Sequence, residues 1–409
     1  MSTITEASKL RLSSAKRRIA SFIEQIDVLA ESSFPHDDGK NVLATIRQQF
    51  MELVRMVELP PTATDEMADR ICVHVAERIS EYTEILGLVL RSTNVRNAFE
   101  LHYVLKGMVE HVLGQPTDLL ISSEWAFVPF TYPVGIDLLP NVVLIGSPAP
   151  ESENALIVPL AGHEIGHSAW RIANVEDDLA EALYVAVDAA IESKGKAGSG
   201  PEDDLVTRSS ASVLRDRSAA YALHQLEEIY CDLIGLNLFG PSYLYAFDYL
   251  LAPGGADRSL DYPSDAQRMA ILAETAEELG VFVDPALRQR WTQANCSDEQ
   301  RRFSAIVDEA VAAMIGNLKD HIQGFHRQRD LQPPSAAEIN EVYAAFARRQ
   351  PYEGQASLGA IISAGWKLLR AQGDLADDIN RDAFKVLCDL IWKTIEVSEY
   401  LDKGRASDA

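Results

Sequence analysis

Two histidines four residues apart, His163 and His167, bracket a glutamate in the run Ala155-Leu-Ile-Val-Pro-Leu-Ala-Gly-His-Glu-Ile-Gly-His-Ser-Ala-Trp. On a helix that spacing puts both imidazoles on one face, one turn apart. Two rings so placed can share one tetrahedral zinc ion at about 2.0–2.1 Å. Glu164 points about 100° round the helix from His163, given 3.6 residues per turn, so it reaches a metal-bound water rather than the metal. This is the HExxH pattern, with its glutamate as general base. Gly166 is a weak helix former and calls for a packing reason.

A catalytic zinc needs a third protein ligand and leaves its fourth position to water. Downstream runs His224-Gln-Leu-Glu-Glu-Ile-Tyr-Cys-Asp-Leu-Ile-Gly, in an apolar helix that Gly240-Pro241 terminates. Glu228 and Asp232 are again four apart. Glu228 can complete the coordination, while Asp232 accepts a hydrogen bond from a ligand histidine and fixes its ring. Glu227 is a rival third ligand, and His224, one turn before Glu228, is another. Cys231 lies beside the candidate site, yet a lone cysteine with apolar flanks reads as core.

The pairing of His163-Glu-Ile-Gly-His167 with Glu228-x-x-x-Asp232 resembles the gluzincin zinc metallopeptidases, the thermolysin-like superfamily, over about residues 155–270. The resemblance implies two helices facing each other across a zinc ion, a small sheet beside the first, and a peptide or protein substrate. It makes His163, His167 and Glu228 the ligands, Glu164 the base and Asp232 the partner of a ligand histidine. The 60 residues between His167 and Glu228 depart from the family pattern. They hold an amphipathic helix at about 175–193 and a glycine-rich loop from Ser193 to Glu202. Ser259-Leu-Asp-Tyr-Pro-Ser-Asp-Ala-Gln-Arg is similar to the turn before an arginine helix in some gluzincins, with Tyr262 where those carry histidine. The Tyr262 hydroxyl can donate to a carbonyl oxygen as it gains charge, and Arg268 can pair with Asp232 or bind a substrate carboxylate. Tyr230 is a weaker candidate for the first role.

The elements around these residues are mostly helical. Ile19, Phe22, Ile23, Ile26 and Leu29, then Leu43, Ile46, Phe50, Leu53, Val54 and Val57, recur at helical spacing. Breaks fall at Ser32–Gly39 and Leu59–Asp65, both rich in capping residues. Between about 119 and 150 the texture turns β-branched and aromatic, in Glu124–Tyr132 and Asn141–Gly146, and predicts two or three short strands. Helical patterning then runs to the end, interrupted at Gln332-Pro-Pro-Ser and Gln350-Pro-Tyr-Glu-Gly. The expected fold is mainly α with a small β-sheet (α+β). A gluzincin-like core over 119–280, with an insertion at 173–215, is flanked by helical regions 1–118 and 281–409.

Composition narrows the function. In 409 residues, 61 acidic side chains against 37 basic give a net charge of −24, which repels phosphate backbones and argues against nucleic-acid or anionic-membrane partners. No apolar run reaches the roughly 18 residues of a membrane span. The cysteines, Cys72, Cys231, Cys296 and Cys388, form no close pair and suit a reducing, cytoplasmic setting. No GxSxG elbow or phosphate-binding glycine loop is present. His102 and His111 face opposite sides of one helix, and His321 and His326 diverge. The expected function is a zinc-dependent metallopeptidase. The alternative is a helical interaction protein braced by a structural or degenerate metal site, and the oligomeric state stays open.

Overall fold

The structure, a computed structural model, describes residues 4–60, 62–92, 98–124, 138–195, 206–252, 254–255, 258–291, 298–371 and 381–408. Among these the chain is mainly helical, with fourteen α-helices and one two-stranded parallel sheet. Most of the segment Glu124–Tyr132, the glycine-rich loop beyond Gly195 and Cys296 lie outside the described residues. No described helix is long and apolar enough to cross a membrane. The chain divides into two compact units, Met1–Glu110 with Gln115–Ser152, and His111–Gly114 with Glu153–Ala409.

The first unit holds α1 (Glu6–Ala30), α2 (Asp38–Met56), α3 (Asp65–Arg91), most of α4 (Ala98–Leu113), β1 (Asp118–Glu124) and β2 (Val142–Pro148). Thr5 and Thr64 cap α1 and α3, each hydroxyl accepting from the amide three residues on, which satisfies an otherwise orphaned donor. The periodic apolar residues meet as expected: Ile19, Ile26, Ile46, Phe50 and Leu53 join Val75, Tyr82 and Leu88 of α3 in one core. Phe22 stacks on Phe50 at 4.2 Å. The strands pair in parallel, Asp118 opposite Val142, and belong to the same unit as these N-terminal helices.

The second unit carries the candidate chemistry. Its helices are α5 (Ala161–Ile172), α6 (Val175–Gly195), α7 (Val206–Phe239), α8 (Pro241–Leu251), α9 (Asp265–Glu278), α10 (Pro285–Gln289), α11 (Asp298–Arg329), α12 (Ala336–Ala347), α13 (Leu358–Ala371) and α14 (Arg381–Asp408). The stretch expected as an insertion, 173–215, holds α6 and the start of α7, which begins at Val206 and runs unbroken through Glu228 and Asp232. It stops at Gly240, whose φ of 57° closes the helix, and Pro241 opens α8 at once. α5 packs along α7, while α11 packs on α6 and α7. A 3₁₀ turn, Ala155–Leu160, leads into α5, and Trp366 of α13 donates its indole N–H to the Leu156 carbonyl of that turn at 2.9 Å.

Candidate metal centre

Four small residues let the two candidate helices touch. A Cβ on Gly166 would lie 2.5 Å from Cys231 Cα, and one on Gly162 would lie 2.8 Å from Gly235 Cα. Gly162 and Gly166 are one turn apart on α5, as are Cys231 and Gly235 on α7, so the helices meet backbone to backbone along that stripe. This is the packing reason that Gly166 called for. Side chains flanking the stripe on one helix therefore reach those flanking it on the other.

The two histidines stand with ring centroids 5.0 Å apart and planes at 87°. His163 Nδ1 lies 2.9 Å from Asp232 Oδ1, and His167 Nδ1 lies 2.9 Å from Glu227 Oε1. A carboxylate partner calls for a proton on Nδ1, which leaves each Nε2 lone pair for a metal. Both Nε2 atoms turn to one carboxylate: His163 Nε2 is 3.3 Å from Glu228 Oε2, and His167 Nε2 is 3.8 Å from Glu228 Oε1. Bonds of about 2.0–2.2 Å at tetrahedral angles put ligand atoms about 3.3 Å apart, so each Nε2 lies near zinc-binding separation from its Glu228 oxygen. Two imidazoles, one carboxylate and two outer carboxylates fit a zinc ion.

Glu227 is thus engaged as the partner of His167. His224, an exposed residue one turn upstream, adds no donor to the cluster. Cys231 is a closer rival, since ligand atoms of His163, His167 and Cys231 all lie within 4.8 Å of one another. Only a thiolate ligates, however, and burial together with Glu227, Glu228, Asp232 and Glu164 pushes this thiol well above its ordinary range. The fully buried Cys231 also fills the crossing at Gly166. Glu228 is the better third donor.

Electrostatics favour a cation here. Burial alone would raise the Glu228 carboxyl, but His163, Arg268 and His167 bring it down to about 2. Burial opposes charge on His163, and Glu228 and Asp232 overcome it, lifting the ring to about 10. The carboxylates that would hold a proton on His163 are those that would hold a metal ion in its place. Glu164 is 3 % exposed. Burial raises its carboxyl above its ordinary value, against the pull of His163 and His167.

Arg268, on α9, lies against Asp232. Its Nε donates to Oδ2 and its Nη2 to Oδ1, both at 2.7 Å, and its guanidinium lies 5.1 Å from the Phe247 ring centroid. Burial would raise Asp232, yet Arg268 and His163 hold it well below the carboxylate range. With both donors so engaged, Arg268 positions Asp232. Tyr262 is 53 % exposed, and partial burial, Glu228 and Asp261 raise its hydroxyl pKa. Arg258 ties its loop down by bonding the Tyr262 carbonyl, Gln225 of α7 and Asp308 of α11. Tyr230 is fully buried instead, edge-on to Trp170 at 5.3 Å, and plays no part in the cluster.

Sequence spacing missed the Glu227–His167 bond, the Arg258 clamp and Tyr243, whose hydroxyl donates to Asp232 Oδ1 at 2.8 Å. All three are contacts between helices or loops, which no local period encodes. The chain matches no family model, no curated protein and no solved structure in comparison.

Proposed function

We propose that the chain is a zinc-dependent metallopeptidase, with His163, His167 and Glu228 as ligands and Glu164 as general base. The convergence of both histidine Nε2 atoms on Glu228, with each Nδ1 held by a carboxylate, carries this reading. Zinc bound there would supply a Lewis acid that polarises the scissile carbonyl and lowers the pKa of water toward about 7. Glu164 takes the proton of the attacking water and delivers it to the leaving amine as the C–N bond breaks. The Tyr262 hydroxyl donates to the carbonyl oxygen as it gains negative charge. Asp232 and Glu227 hold the histidine rings in place. The substrate is a peptide or protein, and the net charge of −24 disfavours nucleic acid.

Incubation of the zinc-loaded protein with a broad peptide library tests the reading. Cleavage that disappears in Glu164→Gln, with zinc retained, is expected. An equally inert pair of proteins counts against it. One observation favours a second reading, an interaction protein with a structural metal site: Cys231 groups with His163 and His167, their ligand atoms within 4.8 Å of one another, and so supplies a thiol donor of the kind structural zinc sites use. A thiolate-to-metal charge-transfer band in the Co²⁺-substituted protein, lost in Cys231→Ser, would favour that reading. Glu164 argues against it, because a structural ion needs no base beside its ligand.

A further inference from the structure

We infer that Tyr243 is a positioning residue of the metal centre: its hydroxyl fixes the Asp232 oxygen that orients the His163 ring. The inference rests on the metallopeptidase reading of the site.

Asp232 Oδ1 takes three donors, His163 Nδ1 at 2.9 Å, Arg268 Nη2 at 2.7 Å and Tyr243 Oη at 2.8 Å. Arg268 alone grips the carboxylate by both oxygens from α9, and such a paired grip still lets the two groups swing together. A donor from α8 adds a third, independent element, so the oxygen facing His163 is held from α7, α8 and α9 at once. Metal-ligating histidines depend on such outer partners for ring orientation and tautomer.

The tyrosine is built into place. It is fully buried at the start of α8, directly after the Gly240-Pro241 turn. A Cβ at Gly235 would lie 2.2 Å from its ring, so the absence of a side chain at Gly235 makes the seat for Tyr243. Phenylalanine would fill the same space, and Phe247 already lies near it with ring centroids 6.3 Å apart. What phenylalanine lacks is the donor to Asp232. Burial and the neighbouring Asp232 raise the hydroxyl well above its ordinary pKa, which keeps it protonated and donating.

The test compares Tyr243→Phe and Gly235→Ala with the wild-type chain by zinc competition against a chelator, and by the d–d spectrum of each Co²⁺-substituted protein. Expected are a loss of zinc affinity of about 10-fold or more in Tyr243→Phe, a shifted Co²⁺ spectrum, and helical circular dichroism like that of wild type. Gly235→Ala should weaken zinc in the same direction, because it displaces the ring that carries the hydroxyl. Unchanged affinity and spectrum in Tyr243→Phe overturn the inference while leaving the metal site standing. Loss of helical signal in Tyr243→Phe makes the hydroxyl a folding element and also overturns it. A wild-type chain that takes up no zinc overturns the metallopeptidase reading itself, and this inference with it.

Discussion

Asp232 serves His163 and Arg268 through one carboxylate, and the balance of those contacts explains its depressed pKa. Both side chains of the Arg268–Asp232 pair are almost wholly buried. Such a pair contributes little net stability when intact, but breaking it strands a charge. Asp232→Asn leaves the Arg268 guanidinium with only Glu228, 3.7 Å away, as counter-charge and should destabilise the second unit, by up to about 3 kcal/mol. It should also weaken zinc binding, because an amide can present its N–H₂ to His163 Nδ1. Denaturant unfolding and chelator competition on the one variant check both effects; wild-type stability would contradict the account. The HExxH residues and the Glu228/Asp232 pair could be read from spacing, because a helix fixes which side chains share a face within a turn. The contacts of Tyr243, Glu227 and Arg258 could not, because each joins residues from separate elements.

At the scale of elements, the site depends on how closely α5 and α7 approach. Gly166 is costly in a helix interior, by about 1 kcal/mol relative to alanine, and Gly162 lies in the first turn of the same helix. The structure shows what they are for: any side chain there would meet the α7 backbone at Cys231 or Gly235. Gly166→Ala should cost about 1–3 kcal/mol through overpacking, although alanine is the better helix former. It should weaken zinc binding as well, by parting the histidines from Glu228. Gly107→Ala, where a Cβ meets nothing within 4 Å, is the control and should not destabilise the chain. A Gly166→Ala protein as stable as wild type would contradict the close crossing. The sequence marked Gly166 as an anomaly and Gly240-Pro241 as a helix stop, both local signals. The parallel pairing of β1 with β2 was beyond it, since register between strands far apart in the chain has no local signature.

At the scale of the whole molecule, the helical character follows from amphipathic periodicity sustained over most of the chain, and a loss of stability in acid is expected from its buried histidines. In the first unit His102 is 4 % exposed, stacked on His36 at 3.7 Å and 3.6 Å from the Asp38 carboxylate, which Lys106 also binds. Burial, then His36, push its pKa down to about 4, against the pull of Asp38 and with a further push from Lys106. Burial brings His326, in the second unit, down to about 4 as well. A histidine with a depressed folded pKa binds its proton more readily when unfolded. Its stabilising effect is full above its ordinary value near 6.5 and is lost as pH falls from there toward 4, levelling off below. For His102 the loss should be about 2–3 kcal/mol. Urea unfolding at about pH 7, 5.5 and 4 should therefore show a smaller decline in His102→Phe than in wild type. Equal declines would contradict the assignment.

The central claim is that His163, His167 and Glu228 hold a zinc ion. Its most direct test is zinc per chain by elemental analysis, on protein purified without added metal, beside His163→Ala. The account predicts about one zinc per chain in the wild type and little in the variant. A wild-type chain free of zinc even after reconstitution would contradict it and leave two histidines and four carboxylates as an ordinary polar cluster.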